Sequence, residues 1–293
     1  MLRYFSLQAS IMMTLAACGD VASAHEGNSS RSHIVAQCKE WMESLSALDE
    51  TESRDGFLAK GYGGCISGEI DEELQEQVFA WLRTVPSHTE PIVVIRSGGG
   101  NAFTAIDIAS ALQEREAEVY IYDVCASACA NYIYAGVRQR HSLGTTILLF
   151  HGGLTKDTPQ EFAEVFDSLL SSPEGKYIEN PDVERKEWVE RAKLYIQKQD
   201  KLLIAAGVDP VMIHGFSEME LSDLASEDCD PEHEPDLEYA VFFSEDIAKA
   251  LGISPVTGSL EYRPSVINER LNRGTQGQRA CMAPEKYFRS TGS

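Results

Sequence analysis

The chain has 293 residues, 43% hydrophobic and 24% charged, the values of an ordinary globular protein long enough to bury a large core. Its 46 acidic side chains against 25 basic ones give a formal charge of -21, which repels phosphate backbones and sets DNA and RNA aside as partners. Wholesale disorder and a polytopic membrane protein do not fit this composition.

Arg3, an apolar stretch over residues 11–17 and the small residues after it read as an export signal over residues 1–24. Two processing routes stay open. Leu15-Ala16-Ala17-Cys18 resembles a bacterial lipobox, which would lipidate Cys18 and anchor the protein to a membrane, whereas Ala22-Ser23-Ala24 suits ordinary signal peptidase and frees a chain starting at His25. No other stretch reaches the roughly 18 consecutive apolar residues of a membrane span, so the body is expected in the periplasm or cell envelope. Either route leaves six cysteines, Cys38, Cys65, Cys125, Cys129, Cys229 and Cys281, an even set that suggests disulfides in an oxidising compartment. Cys125 and Cys129 share a helix face and suit a bridge if the helix is distorted or starts between them. The alternative is a pair of small buried thiols. This spacing lacks the paired ligands of a zinc site, and no metal is expected.

After a polar spacer at 27–32, residues 34–48 have apolar positions at helical intervals and predict a peripheral helix opening a domain over 34–255. A turn at 61–64 leads into a short strand, 65–70, expected to break at Gly68. Asp71 can cap the next helix, on which Leu74, Val78, Phe79 and Leu82 recur at three- and four-residue steps before Pro86 closes it. The run 92–95 is continuous and apolar, as in a buried parallel strand, and Ser97-Gly98-Gly99-Gly100-Asn101 follows. A helix with Ala105, Ile106, Ile108, Ala109 and Leu112 inward comes next, then a strand at 119–124, a small-residue helix at 126–134, and a strand at 146–150 ending at His151-Gly152-Gly153. That alternation predicts an α/β fold with crossover helices around a mostly parallel sheet. A helical insert, about 157–220, carries helices at 159–170 and 183–206 as an arm or cover. Residues 222–238 are acidic and irregular, a short helix spans 245–251, and 256–293 is a tail of little periodicity.

A serine becomes a nucleophile when a base takes its proton and fixed donors receive the oxyanion. Ser127 lies where a strand yields to a helix, with the Ala128 N–H at the positive helix end. Gly98, Gly99 and Gly100 allow close approach of a substrate backbone, and His151 ends the following strand. All three features fall at the carboxyl ends of successive strands, where open α/β sheets place ligand sites. Each also has a plainer reading: a packing serine, a turn, a strand-capping histidine.

Taken in order, the motifs "ISGEID", "VVIRSGGGNAFTAIDIASAL", "CASACANYIYAGVRQR", "ILLFHGG" and "FFSEDIAKALGI" resemble the strands, glycine loop, nucleophile segment, histidine strand and closing turn of the ClpP protease family, within the ClpP/crotonase-like fold. The resemblance covers roughly 65–153 and then 242–253. It implies a serine hydrolase of peptidase type without a cofactor, acting on a peptide or other acyl substrate. In that reading Ser127 is the nucleophile, His151 the base, and Gly99 and Ala128 the oxyanion donors. It also implies a homo-oligomer. Gly98 stands where the family has proline, and the cysteines beside Ser127 look like those of exported relatives. The family's acid position falls on Ala240, leaving Asp200, Asp236 and Glu238 as candidates for the third member. A triad lacking its carboxylate still acts, more slowly.

The acidic loop containing Asp228, Asp230, Glu232, His233, Glu234 and Asp236 reads as a solvated charge run rather than a calcium loop. Two other functions compete with the hydrolase. One is a ClpP-fold binding or assembly module of the envelope with weak or no catalysis. The other is crotonase-type thioester chemistry, which shares the oxyanion hole but needs cytoplasmic coenzyme A.

Overall fold

The computed structural model describes residues 19–46, 56–173, 175–224, 229, 231, 238–274 and 278–288. Cys18 and the acidic residues Asp228, Asp230, Glu232, His233, Glu234 and Asp236 lie outside the described residues.

Strands β2 (Gly63–Ile70), β3 (Ile92–Gly100), β4 (Glu118–Ala126) and β5 (Gln139–Leu149) run parallel, each beside the next in sequence. β1 (Gly56–Lys60) closes one edge antiparallel to β2. Ile92, Val93, Val94 and Ile95 are at most 2% exposed, as expected of a strand covered on both faces. Helices α2 (Glu72–Thr84) and α3 (Ala102–Glu114) are the crossovers, and both start at caps set by sequence. Asp71 accepts the Leu74 N–H at 2.8 Å, and Asn101 accepts those of Phe103 and Thr104 at 2.9 and 3.2 Å. The five inward residues expected on α3 are all fully buried.

Helix α1 (Gly19–Ser46) is not peripheral as the sequence suggests. Ile34, Cys38 and Met42 form a stripe at four-residue steps, buried against Cys65, Ile92 and Val94 on one face of the sheet, and Cys38 is bonded to Cys65. The polar residues between them disguise a narrow but fully buried stripe. Gly68 does not end its strand either: it takes φ 99°, the ladder slips there by a bulge, and pairing resumes from Glu69 to Ile70. β5 begins at Gln139, seven residues before the expected start, and in this extension Arg140, His141 and Ser142 are polar but nevertheless buried. Among them, Arg140 donates to the carbonyls of Ala135, Val137, Ala206 and Gly252, joining four loop and helix ends.

The expected helical insert consists of α4 (Thr158–Leu170) and α5 (Pro181–Ala205), followed by the short α6 (Val211–His214). The pair covers the domain rather than standing away from it. Tyr195 of α5 donates to Asp107 of α3 at 2.6 Å, and Lys198 pairs with the same carboxylate at 3.1 Å. After β6 (Glu238–Phe242) and α7 (Glu245–Ala250), the weakly periodic residues beyond Pro255 supply three elements, so they are not a tail. β7 (Thr257–Leu260) joins the main sheet parallel to β5, α8 (Pro264–Gly274) follows, and β8 (Gln278–Met282) pairs parallel with β6. Four- and five-residue strands are too short to leave a periodic signal. The mostly parallel sheet with crossover helices is the α/β architecture expected.

Disulfides join Cys38 to Cys65, Cys125 to Cys129 and Cys229 to Cys281. Three such bonds mark an oxidising, non-cytoplasmic compartment. Among the described residues no helix is long and apolar enough to cross a membrane.

Candidate active site

In the sheet register Ser97 of β3, Cys125 of β4 and Leu148 of β5 lie in one row, so the chain past each strand emerges at the same carboxyl edge. Ser127 follows β4 immediately and precedes a π-helix, Cys129–Tyr134. Its φ is 53°, a left-handed conformation that non-glycine residues seldom adopt and that costs of order 1–3 kcal/mol. Several constraints hold it there. The Ser127 N–H donates to the Leu149 carbonyl at 2.8 Å, its carbonyl accepts the Asn131 N–H at 2.8 Å, and the Cys125–Cys129 bond closes a ring around it. Both cysteines are fully buried. The bridge forms because the helix begins between the two cysteines, one of the two conditions the spacing requires.

Gly99 lies directly against this turn. A Cβ at Gly99, where φ is 111°, would fall 2.5 Å from Ser127 Cβ and 3.0 Å from its Oγ. Only glycine fits, on both counts. The Gly99 N–H, however, donates to Ser97 Oγ at 3.0 Å, and that hydroxyl donates in turn to the Gly68 carbonyl at 2.6 Å. Ala128 is buried in the first turn, where backbone N–H groups have no helical acceptor. Gly98 faces open space.

His151 comes two residues after β5, in a loop exposed to solvent. Surrounding protein atoms nevertheless desolvate the imidazole and lower its pKa from the ordinary 6.5, while the Glu238 charge opposes that shift. Ser127 and His151 share no hydrogen bond.

Of the two described candidates, Glu238 and Asp200, Glu238 is the one whose charge reaches His151. β6 explains why. Phe150 and Val241 exchange both backbone hydrogen bonds at 2.7 Å in an antiparallel bridge, which draws β6 alongside the residue before His151. Asp200 lies elsewhere: it pairs with His214 Nε2 at 2.9 Å. Asp236 lies outside the described residues.

The sequence reading missed Ser97 and Asn131. Asn131, 2% exposed on the π-helix, donates through Nδ2 to the carbonyls of His151 and Gly152 at 3.1 and 2.9 Å. A lone carboxamide among the alanines and isoleucine of a buried segment was the available signal. A cleft of about 1400 Å³ is lined by Pro86, Arg115, Glu118 and Gln139 at the amino ends of the strands and includes neither Ser127 nor His151. Among the described residues no group of three His, Cys, Asp or Glu side chains could hold a metal.

No family model matches the chain, and no curated protein matches it. Among solved structures it is similar to a mutant of ClpP1 from Listeria monocytogenes, with 21% identity and a TM-score of 0.32 over 47% of this chain and 69% of that one.

Proposed function

We propose that this chain is an exported ClpP-like serine hydrolase of peptidase type. Ser127 Oγ attacks an acyl carbon while His151 takes its proton. The oxyanion forms against the Ala128 N–H and the Gly99 N–H, which exchanges Ser97 Oγ for it, and His151 returns the proton to the leaving group. Water, deprotonated by the same imidazole, then frees the acyl group. Glu238 acts as a distant carboxylate that favours the charged imidazole.

The observation that carries this reading is the strained Ser127 turn, held at φ 53° against Gly99 at the carboxyl edge of the sheet. Strain of this kind persists only where the surroundings over-determine it, and it clusters at functional sites. The lowered pKa keeps His151 neutral, and so able to accept a proton, at neutral pH. The same reading carries an envelope location, a homo-oligomer, and either a lipid on Cys18 or cleavage after Ala24. The intact mass of protein purified from envelopes distinguishes these two processing routes.

A fluorophosphonate probe tests the chemistry. Covalent labelling of the folded, oxidised protein at Ser127, lost in Ser127→Ala, is expected. Absence of labelling overturns the proposal.

A second reading, a binding or assembly module on the same fold, is favoured by two observations: Ser127 and His151 share no hydrogen bond, and the Gly99 N–H is already taken by Ser97. Unliganded sites are often loose and tighten on binding substrate, so the labelling experiment separates the two readings.

A further inference from the structure

We infer that Asn131 is a positioning residue, which sets the His151 loop relative to the Ser127 turn through one carboxamide. This rests on the hydrolase reading above, but its geometry can be tested apart from it.

The loop after β5 is anchored on both sides. Phe150 is tied to Val241 of β6, and the Leu154 N–H is held by Tyr132 Oη at 3.1 Å and Gln199 Oε1 at 3.3 Å. Between those anchors lie His151, Gly152 and Gly153, and the two glycines have positive φ, 42° and 159°. Among the described residues, the side-chain bonds to the carbonyls of this stretch, at His151 and Gly152, both come from Asn131. Only the NH₂ of a carboxamide can serve two carbonyl oxygens, so the chemistry itself fixes which way the amide faces.

The same residue belongs to the nucleophile's turn, because its backbone N–H donates to the Ser127 carbonyl at 2.8 Å. Tyr132, the next residue on the π-helix, holds Leu154. Single-turn π segments recur at functional sites, and here one presents adjacent side chains to the base loop. Asn131 Oδ1 has no hydrogen-bond partner, although the residue is 2% exposed. An unsatisfied buried acceptor opposes stability. Packing alone would favour an apolar side chain here, so the presence of a carboxamide points to the two bonds it makes.

The test compares Asn131→Leu, of similar shape and apolar, with Asn131→Asp, which keeps the shape and loses the donors. Three readouts are taken on the full oxidised chain: the thermal midpoint, the fluorophosphonate labelling rate at Ser127, and NMR of the His151 titration with Gly152 amide exchange. The proposal expects Asn131→Leu to melt at or above the wild-type midpoint. It also expects Ser127 to be labelled at least about tenfold more slowly, the Gly152 amide to exchange faster, and the His151 titration to move toward that of free histidine. Wild-type labelling rate, exchange and titration in whichever variant folds would overturn it. Failure of the wild-type protein to label would refute the hydrolase reading alone. Asn131 would then stand or fall on the exchange and titration, which need no catalysis.

Discussion

The Ser127 turn and the His151 loop are held by different kinds of constraint. Around Ser127 the constraints are covalent and steric: a disulfide two residues to either side, a backbone bond to β5, and Gly99 packed so close that a methyl group would collide. Around His151 they are hydrogen bonds made by side chains from elsewhere, Asn131 and Tyr132 from the π-helix and Gln199 from α5, with β6 laid alongside Phe150. The first limb therefore resists change whether or not a ligand is present. The second is held by exchangeable hydrogen bonds, and the proposed hydrolysis requires them to give so that the imidazole reaches Ser127 Oγ. Under the proposed function, Ser127 is a strained nucleophile on a rigid limb and His151 a base on an adjustable one, which accounts for the missing hydrogen bond between them.

The sharpest way to break this contrast is Gly99→Ala. The new Cβ must displace Ser127 or the Ala126 carbonyl, and the backbone at φ 111° disfavours alanine. Labelling should fall about 10²–10³-fold, the loss typical of removing one oxyanion donor. The strained backbone should cost a further ~1–3 kcal/mol in denaturant unfolding. A variant that labels normally would mean that Gly99 does not constrain Ser127.

Paired disulfide deletions make the next test. By loop closure, removing Cys38–Cys65 should cost about 3.5 kcal/mol and removing Cys125–Cys129 only about 2 kcal/mol. The effects on labelling should run the other way. The double variant Cys125→Ala/Cys129→Ala should lose at least about tenfold in rate because Ser127 can relax from its strained conformation. Cys38→Ala/Cys65→Ala should retain the wild-type rate wherever it is folded. If both double variants label alike, the disulfide beside Ser127 is a general brace.

The adjustable limb should show itself in pH dependence. Labelling needs neutral His151, whose pKa is lowered by desolvation with Glu238 opposing, so the acid limb of the rate profile should fall below the ordinary 6.5. A midpoint at or above 6.5 would contradict this desolvation. Glu238→Gln removes the opposing charge: the midpoint should move lower still, with less than about a tenfold change in rate, because Glu238 acts at a distance and not through a hydrogen bond.

The smallest effect concerns stability. His141, 7% exposed, stacked on Tyr120 and bonded to Thr257 Oγ1, has a pKa lowered from 6.5 by burial, against the charge of Glu118 and with that of Arg31. Below 6.5 the unfolded chain takes up a proton that the folded chain refuses. The thermal midpoint should therefore be highest above that pH and decline as pH falls from it toward the lowered folded value. A midpoint that rises over the same interval would contradict this.

Much of the candidate site was legible because its signals are local. The strand-then-glycine run at Ile92 to Gly100, the cap Asp71, the buried face of α3, and the strand ends that carry Ser127 and His151 all follow from neighbouring residues. Asn131 was not legible, since a carboxamide four residues past Ser127 has no meaning until the histidine loop is folded beside it. The acid is similar. Counting along the chain left Asp200, Asp236 and Glu238 all open, whereas the Phe150–Val241 bridge brings Glu238 within electrostatic reach and His214 occupies Asp200.

By itself, then, the sequence determined the alternating strands and helices, the glycine run, the cysteine pair around Ser127 and the order of the parts along the sheet edge. Each depends on backbone preference or on apolar periodicity over a few residues. The tertiary structure alone decided that α1 is bolted to the sheet and that residues beyond Pro255 complete it. It also decided that Ser97 holds the Gly99 N–H and that Ser127 and His151 stand unjoined. These outcomes depend on register between segments far apart in the chain, where a shift of one residue exchanges one partner for another.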